Sequence, residues 1–480
     1  MNLCHDMLAG QFILAHDAGV LPAGWPVRRL GDWRLASHPD LPVADITAAD
    51  RAAVGWLLGY PLGPDGRRAA GSVRFPLKAA DKDTAARFEA ALYEYGGRFA
   101  AVLLGAGAGR LYLDAAGSLG VVYCPAHRMA ASTTTLIPRD GDCGDAIIPE
   151  LGIPARDGSY PFGLTPRRGA WRLMPNHFLD LLSWQAVRHW PAGDLAPADP
   201  PRAVAEVASI LRRHIAAMAR EAPLHMSLTA GRDTRMMLAC AREHVDRIAF
   251  YTVRLPNEPA KLDCQVAPKI ARRLGLRHVI IDLEDVSEAD GAEWLYRTGG
   301  CAGGLHPQMF RTMERLDPAR PILLGTGGEL GRAFHWREGD TESSAVTAED
   351  LLTKLDIPRT PAVLEQAARW RAGVPTASAI TIWGLLNIEQ QLGCWAAPLY
   401  YGYRRGGFCL LPFAHRGIFE RILGLPVEYR RGGGVEKDLI GGAWPELLAW
   451  PFNWPLGIRG YMYSLQWRAA ALRRRLAGGA

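Results

Sequence analysis

The chain has 480 residues, 55 basic against 49 acidic for a formal net charge of +6, with 49% hydrophobic and 22% charged residues. That length exceeds one compact core and fits two domains, in the composition of an ordinary globular protein. The charge is too modest to imply nucleic acid, and no apolar run is long enough to span a bilayer, so neither partner is expected.

The start, MNLCHDMLAGQF, lacks the basic-then-apolar pattern of a secretory signal, which points to a cytoplasmic location. Short strand-like runs follow: Phe99 to Leu104, Arg110 to Leu113 and Val121 to Cys124, separated by Gly-rich turns. Pro and Gly rise between Trp190 and Pro201, just before a periodic helix. Val204, Val207, Ile210, Leu211, Ile215 and Met218 paint one face of it. The domain boundary is therefore expected near residue 197, giving domains 1–196 and 197–480.

Beyond it, strands alternate with helices. The expected order is a strand Leu224 to Leu228, a helix Thr234 to His244 and a strand Ile248 to Thr252. A helix Cys264 to Leu274 and strands His278 to Ile281 and Pro321 to Leu324 complete it. This alternation predicts an α/β fold with a parallel sheet covered by helices. The tail, with Arg468, Arg473, Arg474 and Arg475, reads as a solvated terminal helix. The 8 cysteines, Cys4 and Cys143 among them, form no CxxC pair and read as reduced, buried small residues.

The stretch His225 to Ala239, HMSLTAGRDTRMMLA, carries the chemistry. A buried strand runs through Ser227 and Leu228, then Thr229, Ala230, Gly231, Arg232, Asp233 and Thr234 turn into a helix. N–H groups at a helix start carry partial positive charge and bind phosphate oxygens. The small Ala230 and Gly231 allow close backbone approach, Thr229 and Thr234 offer hydroxyls, and Asp233 can hold a magnesium ion. An ordinary turn capped by Asp233 and Thr234 is the alternative.

The turn resembles the S-G-G-x-D-S pyrophosphate loop of asparagine synthetases and related N-type ATP pyrophosphatases. The segment from Leu262, LDCQVAPKIARRLGLRHVII, resembles the D-x-x-x-A-x-x-x-A-x-x-L-G-x-x-H segment of that family. LLGTGGELGR, Leu323 to Arg332, resembles its second loop, G-D-G-x-D-E. The resemblance implies ATP and Mg2+ as cofactors, with Thr252 beside adenine and Gly325, Thr326 and Gly327 in the nucleotide site. It places Glu329 with Asp233 as the metal ligands. It also implies catalytic roles for Lys437, neutralising the acyl-adenylate and pyrophosphate, and for Glu389, which β-lactam synthetase would use toward the attacking amine. The tyrosine that accompanies that glutamate would fall at Thr326.

The N-terminal half resembles the family's glutaminase domain, an Ntn-hydrolase-like sandwich, through ALYEYGGRFAAVLLGAGAGRLYLDAAGSLGVVYC and PRRGAWRLMPNHFLDL. Its nucleophile, an N-terminal cysteine, is missing: the chain begins Met1-Asn2-Leu3, and its first cysteine is Cys4. The expectation is an ATP-dependent amide-forming ligase without glutaminase activity. Relatives with this lesion make β-lactams or lasso peptide macrolactams, so a carboxylate- and amine-bearing peptide substrate is expected, with a leader-peptide protease as partner. The aromatic run Trp395 to Phe413 would line its groove or pack the core. Ammonia-dependent asparagine synthesis and a non-catalytic nucleotide-binding homologue are the alternatives.

Overall fold

A computed structural model describes residues 7–78, 83–105, 108–139, 149–153, 158–403 and 408–453. Cys4, Cys143 and the Arg468–Arg475 tail lie outside the described residues. The described cysteines are all free thiols, and apart from the partly exposed Cys264 they are buried.

The N-terminal half is built from strands β1 (Phe12–Ala15), β2 (Val27–Leu30), β3 (Trp33–Ser37), β4 (Val43–Thr47), β5 (Ala53–Leu62), β6 (Ser72–Arg74) and β7 (Gly96–Gly105). It continues with β8 (Ala108–Leu113), β9 (Val121–Cys124), β10 (Met129–Ala131), β11 (Trp171–Leu173), β12 (His177–Asp180) and β13 (Gln185–Arg188). These form two sheets, ordered β11-β9-β10-β1-β3-β2 and β13-β12-β8-β7-β5-β4-β6. Pairing is antiparallel except at the edge, where β4 and β6 run parallel.

Strand β7 shows why its sequence reads as unbroken apolar residues rather than an alternating strand. Ala100 and Val102 face the first sheet, packing with Phe12, Leu14 and Tyr123. Phe99, Ala101 and Leu103 face the other way, against Phe88 and Leu92 of the helix Thr84–Leu92. Period-two alternation with both faces covered leaves no polar position from Phe99 to Leu104; the strand's one charged residue, Arg98, is buried and donates to Ser118 O at 3.1 Å.

The chain then enters the helix Pro200–Glu221. Asp199 caps its first turn by accepting from Arg202 N, and proline opens it where no N–H is needed. The predicted stripe is buried as expected: Val204, Val207, Leu211, Ile215 and Met218 all lie in the main core. Strands β14 (Leu224–Ser227), β15 (Ile248–Arg254), β16 (His278–Asp282), β17 (Ile322–Leu323) and β18 (Cys409–Leu410) form a sheet ordered β16-β15-β14-β17-β18. Every pair in it is parallel. Ile248 and Phe250 face the main core, while Tyr251 packs on the opposite face with Ile281, Met313 and Leu316. The molecule is thus a mixed α/β protein with several sheets, one of them parallel. No helix among the described residues is long and apolar enough to cross a membrane.

The two halves share one core. Tyr60, Leu62, Tyr160 and Trp190 belong to the same apolar cluster as the parallel sheet. Backbone bonds cross as well: Gly97 N donates to Ala414 O at 3.0 Å. Side chains add Tyr401 Oη to Gly120 O at 2.8 Å and Thr134 Oγ1 to Gly299 O at 2.7 Å.

Candidate functional site

Strand order reverses direction at β14. The chain moves outward to β15 and β16 on one side, then returns to place β17 and β18 on the other. In open parallel sheets the crevice beyond the carboxyl ends of strands at such a switch point is the usual ligand site. Here the loops leaving β14 and β17 meet there, and these are the two loops singled out by sequence.

The first loop is held from several sides. Leu228 N donates to Tyr251 O at 2.8 Å. Thr252 Oγ1 donates to Leu228 O at 2.6 Å and contacts His278 Nε2 at 2.8 Å. Thr252 therefore braces the loop with its side chain. Ala230 N donates to Asp263 Oδ1 at 2.7 Å, and Gly231 N to Thr229 Oγ1 at 3.0 Å. The Thr229 and Thr234 hydroxyls lie 2.7 Å apart. Asp263 and His278 open and close the family-like segment quoted above, so that segment serves as the loop's support. The N–H groups of Ala230 and Gly231, expected to face an anion, are satisfied by side chains. The helix Arg232–Cys240 starts after Gly231, and its first-turn N–H groups at Arg232, Asp233 and Thr234 have no carbonyl within the helix to bond.

Buried Arg235 ties this helix to the chain's later segment. It donates to Ala230 O and Gly231 O within its own turn, and to Trp450 O and Pro451 O from Trp450–Asn453. Arg232 lies 3.2 Å from Glu436 Oε1, and it and Arg235 both stand over the Phe452 ring.

The second loop wraps over Asp233. Gly327 takes a left-handed φ of 99°, and a Cβ there would lie 3.0 Å from Phe413 Cβ. A Cβ on Gly328 would lie 3.1 Å from Asp233 Cβ, Cγ and Oδ1, so any side chain there would push Asp233 aside by a few tenths of an ångström. Glu329 Oε2 accepts from Gly327 N at 2.8 Å. Burial, and secondarily the charge of Asp233, pushes the Glu329 carboxyl up to about 7. Burial also raises Asp233, opposed by Arg332, which donates to Oδ1 at 2.9 Å and Oδ2 at 3.2 Å. Thr326 hydrogen-bonds the buried Tyr400 hydroxyl, placing a tyrosine close to Glu329.

Ser227, Asp233, Thr234, Gly325, Thr326, Glu329 and Arg332 line one cleft of about 420 Å3. Two carboxylates lining one cleft, both raised by burial, suit a divalent cation that would take its remaining ligands from phosphate and water. A second cavity of about 770 Å3 adjoins it, and Gln391 and Trp395 line both. Its walls include Leu255, Leu305, Met309, Ile357 and Tyr403. Burial holds His306 neutral there, lowered to about 4, with Nδ1 2.9 Å from Tyr403 Oη. The aromatic run divides accordingly: Trp395 and Tyr403 reach the cavity, Tyr400, Tyr401 and Phe413 are core, and residues 404–407 lie outside the described residues.

Two expected residues are placed elsewhere. Lys437 Nζ donates to Gly432 O at 2.9 Å and lines a separate cavity with Pro201, Val204 and Arg212. The helix Gly434–Ala443 presents Val435 to Gly331 beside the second loop, which turns Lys437 away. Glu389 is fully buried between the halves. It accepts from Arg188 Nη1 at 2.6 Å, Arg188 Nη2 at 2.8 Å, Asn176 Nδ2 at 2.7 Å and Trp370 Nε1 at 2.6 Å. Burial alone would raise its carboxyl, but Arg188 outweighs it, and the group sits below the usual carboxylate range. The π-helix Asn387–Ala396 explains the placement. Residues two apart on a helix do not share a face, so Gln391 meets the cleft while Glu389 meets the other half. An isolated glutamate in the sequence carried no sign of the Arg188 partner 201 residues away.

Arg332 and Gln391 carry no expected role in the sequence, and Tyr400 falls inside the aromatic run Trp395 to Phe413 without a role of its own. Arg332 follows Glu329 by one helical turn, the one local signal that could have indicated it. No protein-family model and no curated protein sequence matches this chain.

Proposed function

We propose that this chain is an ATP-dependent amide-forming ligase of the asparagine synthetase type. It would pair a degenerate glutaminase-like sandwich (residues 1–196) with an N-type ATP pyrophosphatase domain (residues 197–480). The observation that supports this most is the convergence of Asp233 and Glu329, from two separate loops, over the switch point of the parallel sheet.

In this reading the first-turn N–H groups of Arg232, Asp233 and Thr234 hold phosphate oxygens, and Asp233 and Glu329 hold Mg2+. Magnesium bound there supplies charge neutralisation of the triphosphate. A substrate carboxylate oxygen attacks the α-phosphorus, the α–β bridging bond breaks, and pyrophosphate leaves. An amine then attacks the acyl carbon, AMP leaves, and the amine's proton passes to solvent or a base. Holding acyl group and amine together replaces a bimolecular encounter.

The adjoining cavity of about 770 Å3 supports a substrate larger than aspartate, bearing apolar or aromatic groups. We therefore favour an intramolecular amide synthetase acting on a peptide, of the lasso macrolactam kind, in the cytoplasm and alongside a leader-peptide protease. One pair of observations favours a second reading, a non-catalytic nucleotide-binding homologue: Arg332 covers Asp233, and Lys437 faces away. Pyrophosphate release from ATP in the presence of candidate precursor peptides separates the two. Release accompanied by loss of one water from the peptide mass is expected. MgATP binding without any release would establish the second reading.

A further inference from the structure

Arg332 engages Asp233, one of the two carboxylates that would hold a metal in the proposed site. It ends the turn Gly328–Arg332 that begins the second loop's exit, and the following Ala333 is left-handed, with φ 51°. Its guanidinium engages both oxygens of Asp233 in a two-pronged pair, 2.9 and 3.2 Å, the geometry Arg forms best with carboxylate. Among the described residues lining the nucleotide cleft, Arg332 is the only cation. The other basic groups around the two loops are committed or turned away: Arg232 to Glu436, Arg235 to the carbonyls of Ala230 and Gly231, Arg430 to Leu330 O, and Lys437 to Gly432 O.

A divalent ion held by Asp233 and Glu329 would compete with a guanidinium on both Asp233 oxygens for the same lone pairs, and the two cations would repel each other. A triphosphate offers the guanidinium an equivalent partner, since Arg forks onto phosphate as it does onto carboxylate. Partial exposure of both side chains, 24% and 26%, leaves room for that exchange without unpacking the core.

Resting on the ligase reading, we infer that Arg332 is a displaceable counter-ion that makes metal binding depend on nucleotide. It blocks Asp233 against free divalent cations. When a triphosphate enters, it transfers to phosphate oxygens and releases Asp233 to the metal. Arg332 thereby takes over the phosphate-neutralising role expected of Lys437, and metal and nucleotide bind with positive coupling.

The test titrates the full chain with Mn2+ alone, followed by the electron paramagnetic resonance of free Mn2+. ATP is titrated by calorimetry with and without Mn2+. Wild type, Arg332→Gln, Arg332→Lys and Asp233→Ala are compared. Arg332→Gln is expected to tighten Mn2+ alone by roughly tenfold or more, and to shrink the Mn2+–ATP coupling by a similar factor. Arg332→Lys, which keeps charge but loses the fork, should fall between. Asp233→Ala should abolish the Mn2+ gain when combined with Arg332→Gln. Equal or weaker Mn2+ binding by Arg332→Gln would overturn the inference while leaving the ligase reading intact. Wild type that binds no ATP under any condition would remove the ligase reading, and the transfer to phosphate with it.

Discussion

Replacing Glu389 by Gln separates a structural from a catalytic role at one residue. The substitution keeps the side chain's shape but removes the charge that Arg188 faces at 2.6 and 2.8 Å, between groups 11% and 0% exposed. One carbonyl oxygen would remain to serve donors that now share two, from Arg188, Asn176 and Trp370. Breaking one partner of a buried ion pair leaves an uncompensated charge and costs about 3–5 kcal/mol, a large part of a typical net stability of about 5–15 kcal/mol. Pairing it with Arg188→Gln removes the stranded charge and should recover at least half of the loss. Equilibrium urea unfolding measures both variants, and nucleotide affinity per folded molecule should stay within a factor of about two. Unchanged stability with lost turnover would refute the structural assignment and return Glu389 to the chemistry.

Acid should unfold this protein early. Burial holds His214, His335 and His415 well below 6.5, at about 4, about 4 and about 3 respectively. Their neutral forms stabilise the fold fully above pH 6.5, and that contribution is lost as pH falls, because the unfolded chain binds more protons. Each costs about 1.4 kcal/mol per pH unit, so the three together approach about 6 kcal/mol at pH 5; a flat stability curve from pH 7 to 5 would contradict this. Glu329 carries the opposite sign: a carboxyl raised from 4.5 to about 7 costs stability as pH rises through that window. Glu329→Gln should therefore gain about 2 kcal/mol at pH 8 while losing metal-dependent ATP binding, both read in thermal shifts with and without MgATP. Gly328→Ala, whose Cβ would press on Asp233 at 3.1 Å, should weaken MgATP by about tenfold with little change in unfolding free energy.

The C-terminal sheet was legible because its strands are short apolar runs punctuated by amphipathic helices, a signal read locally. Leu224–Ser227, Ile248–Arg254 and His278–Asp282 fall where the sequence predicts them, each boundary within two residues. The helix after the first loop begins two residues early, at Arg232, and gives way at Cys240 to a 3-10 turn, Arg242–Arg247. Much of the N-terminal half was not legible. Strands such as Val27–Leu30, exposed at most positions, and Gln185–Arg188 carry no apolar pattern, and pairing partners rather than propensity fix them. The candidate site was legible as two loops and two carboxylates that share one cleft, because glycines and acidic residues at a strand end have local causes. Arg332's hold on Asp233, 99 residues away, and Glu389's burial by Arg188, 201 residues away, are long-range contacts; only the spacing of Arg332 after Glu329 hints at the first, and no local pattern announces the second.

Calorimetric titration of MgATP into wild type, Asp233→Ala and Lys437→Ala tests the central claim most directly. The account predicts saturable binding in wild type, its loss in Asp233→Ala, and an affinity for Lys437→Ala within about twofold of wild type. Absence of binding in wild type, or binding that Asp233→Ala leaves untouched, would contradict a nucleotide site at this switch point.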